Sequence, residues 1–297
     1  MGIPEAQLNT WSAQGAAQQS RDTYATIKAA LEDANAPYAT HEHSSFLQGS
    51  YGNDTNVRGR DSDVDVVMRL DNRFLYDLEA VGEPGSTAFH QAFPNVDYGY
   101  DDFKRDVTAW MFQKFGVDVE PGTKAIRIKG RNNRRDADVL PCIRFRRYYN
   151  FKSASEQSYA EGICFFASDG TKIINYPILH KDNCTVKHQA TNSYFKAMVR
   201  IIKNMRNRMV EEGLLEEGLA PSYYLEGLMY NVPNNSFGTS YSQTFINSMN
   251  WLVKTDRTKL VCANEQYYLL RPNSPVCWQE EKCKAFLDAT IDYWNNW

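Results

Sequence analysis

Two aspartates one residue apart, Asp63 and Asp65, stand in a run of valines that follows a Gly-Ser turn, within the stretch LQGSYGNDTNVRGRDSDVDVVM at 47–68. In an extended strand successive side chains leave opposite faces, so the two carboxylates share one face while Val64 and Val66 enter the other, apolar one. Paired carboxylates on one face attract divalent cations. Magnesium takes oxygen ligands, and two such ions roughly 3.5 to 4 Å apart can clamp the attacking and leaving oxygens of an in-line displacement at phosphorus. The preceding turn suits the same chemistry. Gly49 and Gly52 let the backbone approach a triphosphate closely, while the Ser50 hydroxyl and nearby N–H groups can donate to its oxygens. The pattern therefore predicts a metal-dependent nucleotidyl-transfer site. An Asp-x-Asp in a surface loop is commonplace, but this pair interrupts an apolar run, where carboxylates are costly to bury unless paired or bound to metal.

A third carboxylate comes from the run DADVLPCIRF, where Asp136 and Asp138 share a face and Asp138 opens the apolar stretch Val139, Leu140 and Pro141. Asp138 would help position metal and accept the proton of an attacking ribose hydroxyl. Spacing alone also allows a turn aspartate beside Arg134 and Arg135. On the strand before it, Ile126 and Ile128 take one face and Arg127 and Lys129 the other. Near 192–210, Met198, Ile202, Met205 and Met209 recur at helical spacing as a core stripe. Lys196, Arg200, Lys203 and Asn207 repeat on another face of that helix. Such a row is usually solvated; bordering the carboxylates, it would let Lys203 neutralise the β- and γ-phosphates. Ser222 and Tyr223 begin a helix after Pro221, where Ser222 also reads as a cap.

The elements that must position these groups are legible as an amphipathic helix over 14–34, strands over 63–70, 124–130 and 137–147, a helix around 102–114, and helices from about 190 onward. A mixed α/β catalytic lobe over 1–190 and a helical nucleotide-binding lobe over 191–297 follow. With 297 residues, 42% of them hydrophobic, the chain can bury a sizeable core. A formal charge of −3 argues against non-specific coating of nucleic acid. Six cysteines form no Cys-x-x-Cys pair and complete no zinc pattern with the five histidines, which fits a reduced cytoplasmic setting. The start MGIPEAQLNTWS lacks the charged-then-apolar pattern of a signal peptide, and the longest apolar runs fall far short of a membrane span.

Taken in order, GSYGNDTNVRGRDSDVDVV, ADVLPCIRF, NYPILH, VRIIKNMR and APSYYLEGLMYNVP resemble the cGAS/DncV-like nucleotidyltransferases, or CD-NTases, and most of all their CdnE clade, which serves bacterial CBASS antiphage defence. The resemblance implies an α+β fold: a polymerase-β-like core, a mixed sheet with helices, packed on a C-terminal helical lobe, bilobed around a central cleft and braced by a long first helix. It implies two magnesium ions on Asp63, Asp65 and Asp138, with manganese able to substitute. It implies nucleotide contacts from Gln48, Gly49, Ser50, Lys196, Lys203 and Ser222, with Tyr223 stacking on a base. Asn175, in NYPILH, falls where members that accept uridine place an asparagine, whose amide can meet the donor and acceptor edge of uracil; spacing alone reads it as a turn residue before Tyr176 and Pro177.

The expected activity is a cyclic dinucleotide synthase that joins two nucleoside triphosphates with loss of pyrophosphate. The expected product is uridine-containing, cyclic di-UMP or cyclic UMP-AMP, made from UTP with ATP for the mixed ring. The enzyme would be a monomer, independent of DNA because it lacks the Cys/His ribbon of animal cGAS, with no direct contact to the effector that reads its product. Its YWNNW end differs from the small-residue tails that some relatives offer to conjugation machinery. Two rivals remain: a template-independent RNA-tailing nucleotidyltransferase, and a catalytically silent nucleic-acid sensor using Arg127, Lys129, Arg131, Arg134 and Arg135 as a phosphate patch.

Overall fold

The computed structural model describes residues 2–15, 18–57, 63–93, 97–274 and 276–297. Positions 58–62 of the Gly-Ser to Asp-x-Asp stretch lie outside the described residues. The chain divides into two compact units, one made of 18–48 and 61–177, the other of 1–17, 49–60 and 178–297. This differs from a division at 190.

The first unit is built on a seven-stranded mixed sheet: β1 (His43–Leu47), β2 (Val64–Asp77), β3 (Val119–Pro121), β4 (Ile126–Ile128), β5 (Ala137–Ser153), β6 (Glu156–Phe166) and β7 (Lys172–Asn175). β1 pairs antiparallel with β2, β2 runs parallel to β5, and β4 and β6 flank successive stretches of β5 on its other side. The strand expected at 63–70 continues to Asp77, and that expected at 137–147 continues to Ser153. β-branched residues explain the start of β2: Val64, Val66 and Val67 are fully buried. The helices α2 (Gln18–Leu31) and α5 (Tyr100–Phe115) pack on this sheet, burying Ile27, Leu31, Phe103, Val107 and Met111. A smaller apolar cluster gathers α4 (Gly85–Ala92) through Phe89 with Val81, Tyr148 and Phe151.

The second unit is helical: α1 (Glu5–Ser12), the one-turn α3 (Gly49–Gly52), α6 (Pro177–Ala190), α7 (Tyr194–Glu211), α8 (Ser222–Asn231), α9 (Tyr241–Lys254) and α10 (Glu280–Asn295). Met198, Ile202, Met205 and Met209 of α7 are fully buried at its centre, as their spacing predicts, among Ile3, Leu8, Cys184, Leu225, Phe245 and Phe286. Cys184 explains why the division falls before α6, and Leu8 why the amino-terminal segment joins the helices. The helix expected over 14–34 is α2, and a separate α1 precedes it and belongs to the other unit. No described helix is long and apolar enough to cross a membrane.

Candidate functional site

On the sheet, the parallel pairing of β2 with β5 sets Asp65 opposite Asp138. Register partners share a face, so Asp65 and Asp138 lie on one face of two adjacent strands, and Asp63, one residue before β2, is near enough for its charge to act on both. Burial, then the charges of Asp138 and Asp63, push the Asp65 carboxyl up to about 7. Burial followed by the Asp63 charge raises Asp138 as well, against a smaller opposing effect of Arg127. Arg127 stands directly across from Asp138 on β4, but its guanidinium is paired with Asp136. Asp136 also accepts from Gly130 N, and these donors hold its carboxyl below the usual range. Asp136 is therefore a loop fastener, distinct from the carboxylate group beside it.

Three neighbouring carboxylates, of which Asp65 and Asp138 have raised proton affinity, form a hard, all-oxygen donor set that a divalent cation would relieve, so the residues fit magnesium. As their side chains stand, no three His, Cys, Asp or Glu among the described residues converge on one point as a closed ligand cluster.

Asn175 ends β7 and is exposed. It registers with Ile163 on β6, which registers with Arg144 on β5, six residues along from Asp138 and hence on the same face. Between them on that face, Arg69, Asp71, Arg144 and Glu161 form an ion-pair network. Gly162 permits the close approach at this corner: a Cβ there would lie 2.6 Å from Asn175 O and 2.7 Å from the Tyr176 ring. Gln48 follows β1, its N–H donating to Asp65 O at 3.1 Å.

The helical unit holds the remaining candidates. Gly49 takes φ +66°, a left-handed conformation that suits glycine, and Ser50 follows it in α3. Lys196, Arg200 and Lys203 do form a row along α7, but it is not solvated. Lys196 Nζ donates to Asp54 Oδ2 at 3.0 Å, Arg200 donates to Asp54 O and Ser12 O, and Lys203 Nζ donates to Glu226 Oε1 at 2.6 Å and Thr55 Oγ1 at 2.9 Å. The row thus fastens the segment after Ser50 to α7. Lys203 is only 1% exposed, so its ammonium is committed to the buried Glu226 carboxylate and not turned out toward a phosphate.

Ser222 does not cap α8, where Pro221 takes the N-cap position without a side-chain bond; its Oγ accepts from Arg206 Nη1 at 3.2 Å. The Tyr223 ring lies on His180, centroids 5.1 Å apart and planes 24° apart, and its hydroxyl accepts from Asn264 Nδ2 at 2.9 Å. At 38% exposure the ring is held from behind and open in front. Sequence reasoning missed Glu226, His180, Asn264 and Arg206. Glu226 alone left a signal, a single carboxylate inside the apolar helical run YLEGLM.

The arginine and lysine cluster proposed for a sensor is largely neutralised: Arg127 pairs with Asp136, Lys129 with Glu120, and Arg134 with Asp118 at 3.1 Å. It does not form a free phosphate patch.

The family model for the cGAS/DncV-like nucleotidyltransferase C-terminal helical domain matches residues 182–295. A cyclic UMP-AMP synthase of Rhodothermus marinus (strain SG0.5JP17-172) is 38% identical over 299 residues, covering 100% of this chain and 99% of its own. The solved structure of the Rhodothermus marinus CdnE c-UMP-AMP synthase with Apcpp and Upnpp matches with a TM-score of 0.90 at 38% identity, covering 99% of this chain and 97% of that one. A cyclic dipurine nucleotide synthase of Elizabethkingia meningoseptica is 35% identical over 248 residues, 83% of either chain. Likeness that runs the length of both chains, in sequence and in fold alike, shows that this chain belongs to the cGAS/DncV-like nucleotidyltransferases, the CD-NTases, in their CdnE branch.

Proposed function

We propose that this chain, a nucleotidyltransferase by family, joins two ribonucleoside triphosphates into a uridine-containing cyclic dinucleotide, the second messenger of a CBASS antiphage system. The observation that carries the reading is the register of Asp65 with Asp138, beside Asp63, on the face that also bears Asn175. Asp63, Asp65 and Asp138 would hold two magnesium ions, which when bound make a ribose hydroxyl more acidic and neutralise charge on the α-phosphate and the departing pyrophosphate. Asp138 would take the 3′-hydroxyl proton, directly or through the ion, as the oxygen–phosphorus bond forms and the bond to pyrophosphate breaks. The same chemistry on the remaining triphosphate of the linear intermediate closes the ring. In the helical unit, Ser50 and Ser222 supply hydroxyl donors to phosphate oxygens, and the open face of Tyr223 supplies a stacking surface that any base can use. Selection of uracil then falls to the exposed amide of Asn175.

Relatives at nearly equal identity carry names with pyrimidine-containing and purine-only products, so overall similarity does not choose the base. The test is to incubate the protein with all four ribonucleoside triphosphates and magnesium, strip terminal phosphates with phosphatase, and tell rings from linear products by mass spectrometry. The expected outcome is a uridine-containing ring from the wild type, none from Asp63→Asn, and reduced uridine incorporation from Asn175→Ser. A purine-only ring would overturn the role of Asn175; linear, primer-dependent chains would favour the tailing polymerase.

A further inference from the structure

The carboxylate of Glu226 is 3% exposed and gathers four side chains of its unit. Oε1 accepts from Lys203 Nζ at 2.6 Å and from Thr55 Oγ1; Oε2 accepts from Asn53 Nδ2 at 2.9 Å and pairs with His180 Nε2 at 2.7 Å. Burial pushes its proton affinity up, but Lys203 and His180 outweigh burial and hold the carboxyl well below the usual range. The group is therefore a fixed anion. Its partners stand beside the groups that would touch nucleotide. Asn53 and Thr55 follow α3, and the Thr55 N–H donates to Ser50 O at 2.9 Å. His180 lies against the back of Tyr223. With Nε2–H donating to an ionised carboxylate, the imidazole plane is set by Glu226, and Nδ1 is buried without a partner among the described residues.

We propose that Glu226 is a positioning residue for nucleotide binding: it fixes the His180 ring that supports Tyr223 and, through Asn53 and Thr55, the segment that carries Ser50. The inference rests on the nucleotide-binding roles given above to Ser50 and Tyr223. A glutamine at this position presents an NH₂ group where two donors now converge, so at least one arm of the network must let go. The carboxylate face on β2 and β5 is left intact, so the loss should fall on binding more than on the chemical step.

The test compares the full-length wild type with Glu226→Gln and with the double variant Glu226→Gln/Lys203→Met, which also removes the buried ammonium. Affinity is measured by calorimetry with non-hydrolysable UTP and ATP analogues and magnesium, turnover by pyrophosphate release, and folding by thermal melting. Glu226→Gln is expected to weaken binding and raise KM by about ten-fold, with kcat within about three-fold of wild type. The double variant should melt closer to the wild type and still bind weakly; if Glu226→Gln fails to fold, the double variant carries the test alone. Wild-type affinity in either folded variant would overturn the positioning role while leaving the nucleotide reading intact. Failure of the wild type to bind both analogues would overturn that reading and this inference with it.

Discussion

Replacing Asp65 by asparagine should stabilise the metal-free protein while abolishing its turnover, and the size of the effect follows from the crowding on the sheet face. The carboxyl is moved from an ordinary 3.8 to about 7, first by burial and then by Asp138 and Asp63. At about 1.4 kcal/mol for each factor of ten in proton affinity, the ionised form costs the fold at most about 4 kcal/mol. Water entry and the effective dielectric of protein interiors bring the expected gain for Asp65→Asn to about 1–3 kcal/mol. The sign in pH is set by the folded state binding this proton more tightly than the unfolded chain. The penalty is absent well below 3.8, grows as pH rises, and is complete above about 7. Urea unfolding in a chelator should therefore separate variant from wild type most widely near about pH 8.5, with roughly a third of that gap left near about pH 5. Magnesium added at the higher pH should raise the wild-type midpoint and leave the variant almost unmoved. A variant no more stable than wild type, or a gap that does not change with pH, would refute the crowded-carboxylate argument and the metal assignment built on it.

Three further outcomes are expected. Tyr223→Ala should raise KM for the nucleotide by about 10- to 100-fold through loss of a stacking face, whereas Tyr223→Phe, which keeps the ring and gives up the hydroxyl's bonds with Asn264 and Cys262, should stay within a few-fold; steady-state kinetics with the folded proteins compares the two. Gly162→Ala places a methyl 2.6 Å from Asn175 O, so the β7 corner must move; the ratio of uridine to purine products should fall while total pyrophosphate release changes less, as read by mass spectrometry. Met205→Ala should cost about 2–5 kcal/mol in urea unfolding by opening a cavity in the helical core, and a loss under about 1 kcal/mol would mean that the stripe can collapse around the gap.

The chemistry was more legible than the architecture that presents it. Asp63 and Asp65 announced themselves because strand alternation is local, and Met198 through Met209 because helical spacing is local. The opposition of Asp65 to Asp138 was not readable in the same way: it depends on the parallel register of two strands separated by helices and hairpins. β6 and β7 are not legible in the sequence, because their residues mix charged, polar and aromatic types without clean alternation. Lys203 shows the limit most clearly. Its position on a row of cations suggested solvent or phosphate, and only the fold reveals a buried glutamate across from it. A carboxylate inside YLEGLM was the one warning, and it names no partner.

The four crossings of the chain between its two units bear on how this protein can be cut and recombined. A fragment beginning near 178 would contain five of the seven described helices of its unit, including the stretch 182–295 that the family model recognises. It would lack Asn53 and Thr55 on Glu226, Asp54 on Lys196, and the side chains of Ile3 and Leu8. A module exchange between relatives at that single junction would carry away a core with missing pieces and an anion short of donors. Any chimera meant to trade the helical unit must instead move three separated stretches together, so inheritance by one crossover would favour exchange of the whole gene over exchange of its parts.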